Sequence, residues 1–479
     1  MQIFLIITRL FSCIALLFSI VTNSNSGPIF PHGFLKGCAL SAYQNGGHIN
    51  GQSNWSRFEN QKTCFNFKHI GFIRPTSVIE GGAKIGRATE FYDRAFDDIK
   101  LLKDLGVNAF RFSIEWADYE ASEGIFNEKY LDFFERYVDA LIENGIKPMI
   151  TLHHFVHPLW FEQMGGFTKA ENIDYFVRYC KRIFNRLGKK VPFWCTINEP
   201  TVLSACGYVL GLHPPGRVFQ FGLAGHVLFN LLQAHVQVYK ELKALPGGQQ
   251  AQIGIVHQLL TFEPYKHNIN ALCTQLNLSN PLGALVSRIF TFTFAHHATK
   301  EFLKTGIFEY KIPFIGKLPT FSGQMCNVTG YNSDAPQSYD FIGLNFYSRV
   351  IIGTAGPTCY SNQVMTDMEY PCAPEWIYDA IVQMSDLGKP IYITEHGIAD
   401  ENDVNRGHFI KVAIDSVYKA LQQGYDVRGY FYWTLMDNYE WNDAYTQKFG
   451  LYHVDFETQN RTLRTGGSIY RDYFKLCNS

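Results

Sequence analysis

Short apolar runs alternate with amphipathic stretches along most of the chain. Eight of these runs predict β-strands, at Phe34–Ala42, Ala109–Trp116, Lys147–Phe155, Phe193–Glu199, Gln252–Leu259, Asp340–Tyr347, Pro390–Glu395 and Val427–Leu435. Apolar residues at helical spacing predict helices between them, at Glu90–Leu105, Tyr130–Asn144, Ile173–Leu187, Gly222–Leu245 and Val404–Gln423. Apolar strands that alternate with helices indicate a parallel sheet covered by helices.

Eight repeats predict an α/β fold made of a single closed (β/α)8 TIM barrel with extended βα loops. A doubly wound open sheet is the alternative, but no strand is followed by a glycine-rich turn of the dinucleotide-binding type. Two stretches rich in glycine and proline lack any period, so we expect surface loops at Cys64–Lys84 and Phe308–Gln337. No linker divides the chain, and residues 27–479 are predicted to form one domain.

The first residues follow a different pattern. An apolar run at residues 10–22 follows Arg9 and precedes two small serines. This order predicts a secretory signal peptide at residues 1–26 and an exported protein, with an uncleaved membrane anchor as the alternative. In a host that glycosylates proteins, export would make four sequons candidate N-glycosylation sites: Asn54, Asn277, Asn327 and Asn460.

Composition narrows the classes of partner. The formal net charge of −1 does not indicate nucleic acid, and the 15% aromatic content supplies platforms for apolar sugar faces. None of the eleven cysteines forms a Cys-x-x-Cys pair, so no zinc ribbon is predicted. Buried free thiols are predicted within apolar runs, at Cys38, Cys180 and Cys195. An exported protein could form disulfides at three loop cysteines, Cys326, Cys359 and Cys372.

Two of the predicted strands end in a glutamate. The strand at residues 193–197 runs into Asn198 and Glu199, and the strand at 390–394 runs into Glu395. Either glutamate alone would be interpreted as a solvent-exposed acid after a strand. The C-terminal strand ends of a barrel meet at one face, so the pair predicts a shared site.

Other strands carry an arginine and a group of histidines. Arg111 lies within an apolar strand, where a guanidinium requires a buried carboxylate partner. His153 and His154 are adjacent, with His157 nearby, which raises the hypothesis of a metal site. Neighbouring residues on a strand point to opposite faces, so these two histidines cannot line one site, and no metal is predicted.

Thr196-Ile197-Asn198-Glu199-Pro200 and Ile393-Thr394-Glu395-His396-Gly397 resemble the acid/base and nucleophile motifs of family 1 retaining β-glycosidases. The resemblance extends over nearly the whole chain after residue 28. It implies that Glu199 is the acid/base and Glu395 the nucleophile. It also implies that Arg111 and Tyr347 contact the nucleophile and that Asn198 holds the sugar 2-hydroxyl.

The same resemblance implies a set of sugar-binding residues: Gln44, His154, Asn198, Asn345, Trp433, Glu440, Trp441 and Phe449. Trp433 would lie under the sugar ring, while Glu440 and Trp441 would bind the outer hydroxyls. The family usually has asparagine where this chain has His396, which leaves open an effect on the pH optimum.

The sequence therefore predicts a β-glucosidase-like, retaining exo-β-glycosidase that acts on terminal non-reducing β-D-glycosides through a covalent glycosyl-enzyme. We expect the two carboxyl groups to lie about 5–5.5 Å apart. The expected partner is a small β-glycoside or oligosaccharide; no cofactor or nucleic acid is predicted, and a membrane only if the N-terminal segment is uncleaved.

Two alternatives remain. A non-catalytic carbohydrate- or receptor-binding barrel is disfavoured because both glutamates are present. A 6-phospho-β-glycosidase is disfavoured because the carboxylate of Glu440 would repel the phosphate. Glucose, galactose and fucose all remain open as the sugar.

Overall fold

Eight parallel strands close into a barrel in this computed structural model, which describes residues 28–46, 51–66, 71–266, 280–311, 327–353 and 356–476. The strands are β1 Leu35–Ala39, β2 Ala109–Ser113, β3 Lys147–His153, β4 Phe193–Asn198, β5 Gln252–Gln258, β6 Phe341–Asn345, β7 Ile391–His396 and β8 Val427–Trp433. Each strand pairs with the next along the chain, and β8 pairs with β1 to close the ring. The predicted (β/α)8 barrel is confirmed.

Most of the predicted strands are longer than the observed ones at the C-terminal end. Ser113 and Asn345 end their strands, while Trp116 and Tyr347 already lie beyond them. The backbone of Glu199 turns away after β4, with φ of 47° in the left-handed region, although its N–H still donates to the carbonyl of Val256 on β5 at 2.9 Å. Apolar residues continue past the ladder because the loops above the barrel are themselves buried, so the apolar pattern does not mark where pairing stops.

A helix follows each barrel strand. These helices are α1 Phe91–Leu105, α2 Glu128–Glu143, α3 Ile173–Leu187, α4 Phe221–Lys243, α5 His296–Thr305, α6 Ile377–Ser385, α7 Arg406–Gln422 and α8 Thr465–Leu476. In α3, Phe176, Cys180, Ile183 and Leu187 recur at helical spacing and are all buried. The main core lies between such apolar faces and the outside of the barrel, where Phe112 of β2 stacks on Phe134 of α2.

Additional short elements lie in the βα loops. The helices among them are Ala42–Gly46, Asn54–Phe58, Trp116–Tyr119, Leu159–Gln163, Pro200–Tyr208 and Pro281–Thr293. A three-stranded sheet consists of Thr261–Pro264, Arg349–Ile352 and Pro357–Thr358. Tyr452–Val454 pairs with Arg461–Leu463 after β8.

The two expected surface loops hold more regular structure than predicted, because each overlaps a pair of antiparallel strands. Lys62–Asn66 pairs with Gly71–Ser77, and Ile307–Tyr310 pairs with Val328–Tyr331. Glycine and proline correctly signal turns here. The strands themselves pair through backbone hydrogen bonds. Such pairing does not require a regular apolar pattern in short strands, so the sequence does not reveal it.

Several expectations about export fall partly outside the described residues. The predicted signal peptide at residues 1–26 lies outside them, as do Asn277 and Cys326. Within the described ranges, no helix is both long and apolar enough to cross a membrane. Cys38, Cys180 and Cys195 are buried free thiols as predicted, and Cys359 and Cys372 are also free.

The sequon at Asn54 is buried within the structure. Its Nδ2 donates to the carbonyl of Phe155 at 3.1 Å, and its Oδ1 accepts the backbone N–H of His157 at 3.1 Å. The side chain therefore ties two loops together and is not available for a glycan. Asn460, by contrast, is exposed.

Candidate active site

A cavity of about 740 Å³ opens at the C-terminal end of the barrel. Nine of the residues singled out by the sequence line it: His154, Asn198, Glu199, Tyr347, Glu395, Trp433, Glu440, Trp441 and Phe449. The other three, Gln44, Arg111 and Asn345, are buried and bond to residues of the cavity wall. The structure thus brings all twelve together.

Glu395, near the end of β7, is held by two donors, one on β2 and one just after the end of β6. Arg111 Nη1 donates to Glu395 Oε1 at 2.5 Å, and Tyr347 Oη donates to Oε2 at 2.7 Å. Burial alone would lower the pKa of Arg111, but the neighbouring Glu395 raises it. The carboxylate partner that the sequence requires for Arg111 is therefore present.

Glu199 follows β4 and precedes the helix Pro200–Tyr208. Asn345 Nδ2 donates to its Oε1 at 2.6 Å. Burial, and then the negative charge of Glu395, raise the pKa of Glu199 well above its ordinary value. This carboxyl group is consequently suited to carrying a proton at neutral pH.

The guanidinium of Arg111 and the amides of Asn198 and Asn345 connect the two glutamates through hydrogen bonds, and two threonine hydroxyls bond to this chain. Asn198 Oδ1 accepts from Arg111 Nη2 at 2.6 Å and from Asn345 Nδ2 at 3.2 Å. Thr394 Oγ1 donates to Asn345 Oδ1 at 2.7 Å, and Thr151 Oγ1 accepts from Arg111 Nε at 3.1 Å. With its oxygen occupied, the Asn198 amide presents Nδ2 toward the cavity wall, 3.5 Å from His154 Nε2.

Two residues of the site, Thr151 and Thr394, have no distinguishing pattern in the sequence. Thr394 directly precedes Glu395 on β7, and Thr151 lies on β3 beside Arg111 of β2. Threonine is common in strands, so neither residue stands out in the sequence. Only the position of Arg111 and Asn345 beside them reveals their contacts.

Glu440 and Gln44 form a second polar pair at the end of the cavity. Gln44 Nε2 donates to Glu440 Oε2 at 3.1 Å and to the carbonyl of Tyr439 at 3.0 Å. Burial, with smaller effects of Asp443 and Glu395, raises the pKa of Glu440 to about 8. Gln44 is therefore fixed beside Glu440, and the raised pKa leaves Glu440 with less negative charge at neutral pH than an exposed carboxyl group would carry.

Aromatic rings hold Trp441 against the cavity. Trp441 packs on Trp55 with ring centroids 4.6 Å apart and lies parallel to Tyr43 at 6.1 Å. His154 stacks between the two platform tryptophans, 5.9 Å from Trp433 and 6.0 Å from Trp441. The sequence does not predict a role for Trp55, because the pattern around it predicts neither a strand nor a helix.

The histidines divide as the strand alternation predicts. His154 lines the cavity, whereas His153 lies behind it, with Nε2 3.3 Å from His157 Nδ1. His157 Nε2 in turn lies 2.8 Å from Glu162 Oε2. Among the described residues, no group of three or more His, Cys, Asp or Glu side chains is placed to hold a metal ion.

Comparison with known proteins identifies the family. The sequence pattern of glycosyl hydrolase family 1 matches residues 27–477. The chain belongs to glycosyl hydrolase family 1. It is therefore a glycoside hydrolase, and the strand-end motifs and the barrel are those of this family.

Relatives in family 1 match over nearly the whole chain. β-Glucosidase A of Acetivibrio thermocellus is 31% identical over 475 residues, which cover 93% of this chain and 98% of the relative. β-Glucosidase A of Thermotoga maritima is 31% identical over 476 residues, with the same coverage. A structure of the β-glucosidase from Thermotoga maritima in complex with deoxynojirimycin superposes with a TM-score of 0.76 at 28% identity, covering 94% of this chain and 99% of that one.

This family 1 chain departs from the usual motif at His396. The imidazole is buried behind the barrel wall, with Nδ1 3.1 Å from Tyr430 Oη and the ring 4.7 Å from Phe409. Burial lowers the pKa of His396 to about 3, so the ring is neutral at ordinary pH. It adds no charge beside Glu395.

Proposed function

We propose that this family 1 hydrolase is a retaining exo-β-glycosidase of the β-glucosidase type, with Glu395 as nucleophile and Glu199 as acid/base. The contrast between the two carboxyl groups carries the proposal. An arginine and a tyrosine donate to Glu395, whereas Glu199 receives a neutral amide and has a raised pKa. One group is therefore built to be an anion and the other to hold a proton.

In the first step the Glu395 carboxylate attacks the anomeric carbon as the glycosidic bond breaks. Glu199 gives its proton to the departing oxygen, so the aglycone leaves as a neutral alcohol. In the second step Glu199, now an anion, takes a proton from water. The resulting nucleophile displaces Glu395, and the sugar is released with its original configuration.

The sugar would lie on Trp433, with its outer hydroxyls toward the Gln44–Glu440 pair and Trp441. Asn198 and His154 would meet the hydroxyls nearer the reacting carbon, and Phe449 would pack beside the ring. The aromatic packing behind Trp441 closes this end, which supports action on the terminal sugar only.

Terminal β-D-glucosides are the proposed substrates, because the relatives named above are β-glucosidases. A 6-phospho-β-galactosidase of Clostridium acetobutylicum is 30% identical over 414 residues, so a phosphorylated sugar requires consideration. Among the described lining residues, however, there are five carboxyl groups and no lysine or arginine: Glu199, Glu369, Glu395, Glu440 and Asp443. No cationic side chain among these lining residues is available to pair with a 6-phosphate, and the anionic Glu395 would repel it.

Azide rescue distinguishes the two glutamates. Glu395→Ala removes the nucleophile, and added azide should attack from that side to give an α-glycosyl azide. Glu199→Ala leaves the first step intact for nitrophenyl glycosides, because a good leaving group needs little protonation. The second step then stalls for lack of a base, so azide should relieve the stall and give a β-glycosyl azide.

The readout is the anomeric configuration of each azide product by NMR, with Glu162→Ala as a control outside the cavity. Products of opposite configuration to those expected would reverse the two roles. An unmodified protein that is folded but hydrolyses no nitrophenyl β-glycoside would instead favour the non-catalytic binding barrel.

We also propose that the protein is exported. The support is the sequence alone, namely the apolar run at residues 10–22 after Arg9. N-terminal sequencing of the protein secreted by a eukaryotic host should begin near residue 27. A membrane-bound product that retains residues 1–26 would favour the anchor.

A further inference from the structure

Phe449 lies in a loop after β8, and its ring contacts the tyrosine that holds the nucleophile. The side chain is buried and lines the cavity. Its ring centroid lies 5.8 Å from that of Tyr347 at an interplanar angle of 75°, which is an edge-to-face contact. Because Tyr347 Oη donates to Glu395 at 2.7 Å, the position of the Phe449 ring bears on the hydrogen bond that orients the nucleophile.

The peptide unit between Phe449 and Gly450 is held on both sides by buried charged side chains. Arg406 Nη1 donates to the carbonyl of Phe449 at 3.1 Å. On the opposite side, Asp437 Oδ1 accepts the N–H of Gly450 at 3.0 Å. Arg406 and Asp437 are both 0% exposed. A peptide unit is planar, so binding its carbonyl and its N–H together fixes the plane and, with it, the direction of the Phe449 side chain.

Arg406 also links this peptide to the loop that follows β7, the strand that carries the nucleophile. Its Nε donates to Asp403 Oδ1 at 2.7 Å. The guanidinium donates further to the hydroxyl of one tyrosine and to three carbonyls: Tyr432 Oη and the carbonyls of Ile398, Asp400 and Lys448. A lysine at this position would lack the planar fork of N–H groups that these acceptors require.

Asp437 is itself held in place by a second arginine. Its Oδ2 accepts from Arg464 Nη2 at 2.7 Å, while its Oδ1 bonds to Gly450. The two backbones approach so closely that a Cβ on Gly450 would lie 2.2 Å from the backbone nitrogen of Asp437. A shift of Asp437 would therefore be passed to the peptide that follows Phe449.

We propose that Arg406 and Asp437 are positioning residues for the glycosidase reaction. Together they fix the peptide after Phe449, and the Phe449 ring then keeps Tyr347 bonded to the nucleophile. Neither belongs to the described lining of the cavity, so both act through Phe449. This inference rests on the proposed β-glycosidase function and adds to it a requirement outside the cavity.

The test is kcat and KM of Arg406→Lys for 4-nitrophenyl β-D-glucoside. Without the guanidinium the peptide and the Phe449 ring are free to move, so Tyr347 aligns less well with Glu395, which reacts in both steps. The value of kcat should fall about tenfold. KM should change by less than about twofold, because the polar side chains that bind the sugar remain.

A double-mutant cycle with Phe449→Leu separates positioning from a purely structural role. Without the aromatic ring the effect cannot reach Tyr347, so Arg406→Lys should lower kcat by less than about twofold in this background. Arg461→Lys is the matched control. The Arg461 side chain is 6% exposed, pairs with Asp98 and donates to two carbonyls outside the cavity. Its replacement should leave kcat unchanged in both backgrounds.

Circular dichroism and urea unfolding report whether each variant folds, and Asp437→Asn repeats the cycle if Arg406→Lys does not. One amide oxygen cannot accept from both Arg464 and Gly450, and the arginine cation will take it. The peptide is then released on its N–H side while the side-chain volume is kept. We expect kcat to fall about tenfold, and by less than about twofold in the Phe449→Leu background.

Two kinetic results would overturn the inference: an unchanged kcat in Arg406→Lys, or equal losses of kcat in the two backgrounds. Failure of both variants to fold would overturn it as well, because the two side chains would then be needed for the fold itself. Hydrolysis by the unmodified protein is measured in parallel. If it is present, a negative cycle counts against the positioning roles alone. If it is absent, the proposed glycosidase function fails, and this inference fails with it.

Discussion

The same side chain, glutamate, is set to two tasks by the neighbours that different strands supply. Glu395 faces Arg111 and Tyr347, both donors, whereas Glu199 faces a single amide from Asn345. A cation stabilises an anion, and burial without a cation favours the protonated acid. The assignment of roles therefore follows from contacts a few ångströms long and not from the two motifs alone.

The pKa of Glu199 should depend on the charge of Glu395. Burial and the charge of Glu395 both raise it, so Glu395→Gln should lower the pKa of Glu199 by removing the second cause. Carbon-13 NMR of side-chain-labelled glutamate can follow this titration, with Glu199→Gln to assign the signal. In the active enzyme, activity should fall as pH rises through this pKa, because the proton for the leaving group is lost. An unchanged Glu199 titration in Glu395→Gln would show that the two groups are not coupled.

Arg111 should matter for turnover more than for the fold. Arg111→Met removes a charge-assisted bond to Glu395 and another to Asn198, so kcat should drop on the order of 100- to 1,000-fold. Circular dichroism should show that the barrel is retained. Arg428→Met, at an exposed ion pair, is the matched control and should retain full activity. Near-normal turnover in Arg111→Met would remove it from the site.

His396 should not tune the pH optimum, although its place beside the nucleophile suggests that it could. Its pKa of about 3 means that the ring stays neutral throughout the working range. His396→Asn, which restores the usual residue of the family, should therefore leave both limbs of the pH–rate profile in place. A displaced limb would indicate that the imidazole titrates near the site after all.

Some residues of the site could be predicted from the sequence and others could not. A buried arginine in a strand requires an acid, and that reasoning leads from Arg111 to the contact with Glu395. Thr394 and Trp55 have no such requirement for a partner. A threonine in a strand and a tryptophan outside the predicted elements are both common, so neither indicates a special role. Their importance arises from neighbours distant in sequence, Asn345 and Trp441.

At the scale of elements, apolar pattern predicts what is buried and not what is paired. Seven of the eight barrel strands lie within the predicted runs because each is covered on both faces, and β7 ends one residue beyond its run, at His396. The hairpin of Lys62–Asn66 with Gly71–Ser77 was missed, since its pairing is a matter of backbone hydrogen bonds at the surface. The short strands in the loops above the barrel are not predicted either, because they too pair through backbone hydrogen bonds.

The loop that carries Glu440 and Trp441 contains a residue in an unfavourable conformation. Ala444 has φ 52° and ψ −121°, a region open essentially to glycine, and such a residue costs about 1–3 kcal/mol. Ala444→Gly should relieve that cost, offset by roughly 0.5–1 kcal/mol of chain entropy and by the lost methyl. Urea unfolding should therefore show a free energy of unfolding at or above that of the unmodified protein.

Ala140→Gly, inside α2, is the matched control for Ala444→Gly. There the alanine is helical, so glycine should lower the free energy of unfolding by about 1 kcal/mol. If Ala444→Gly were as destabilising as the control, the loop would not be under backbone strain.

At the scale of the molecule, the barrel depends on contacts between the two ends of the described chain. β1 closes the ring between β2 and β8, and α8 covers the outside of that closure. Tyr470 Oη donates to the carbonyl of Gly37 at 2.5 Å. The number of predicted strands and helices indicates a closed barrel, but it does not indicate which helix covers the closure at β1.

Removing the packing of α8 against this closure should lower the free energy of unfolding of the whole barrel. Phe474 of α8 is buried against Phe30 and Tyr470, so Phe474→Ala should cost about 3–5 kcal/mol. Lys475→Ala, at the exposed neighbouring position, should change stability by less than about 0.5 kcal/mol. In urea, glycosidase activity and tryptophan fluorescence of Phe474→Ala should be lost together at a lower concentration than in the control, because the seam and the strand ends belong to one barrel. Activity that outlasts the loss of fluorescence signal would show that the active site survives opening of this seam.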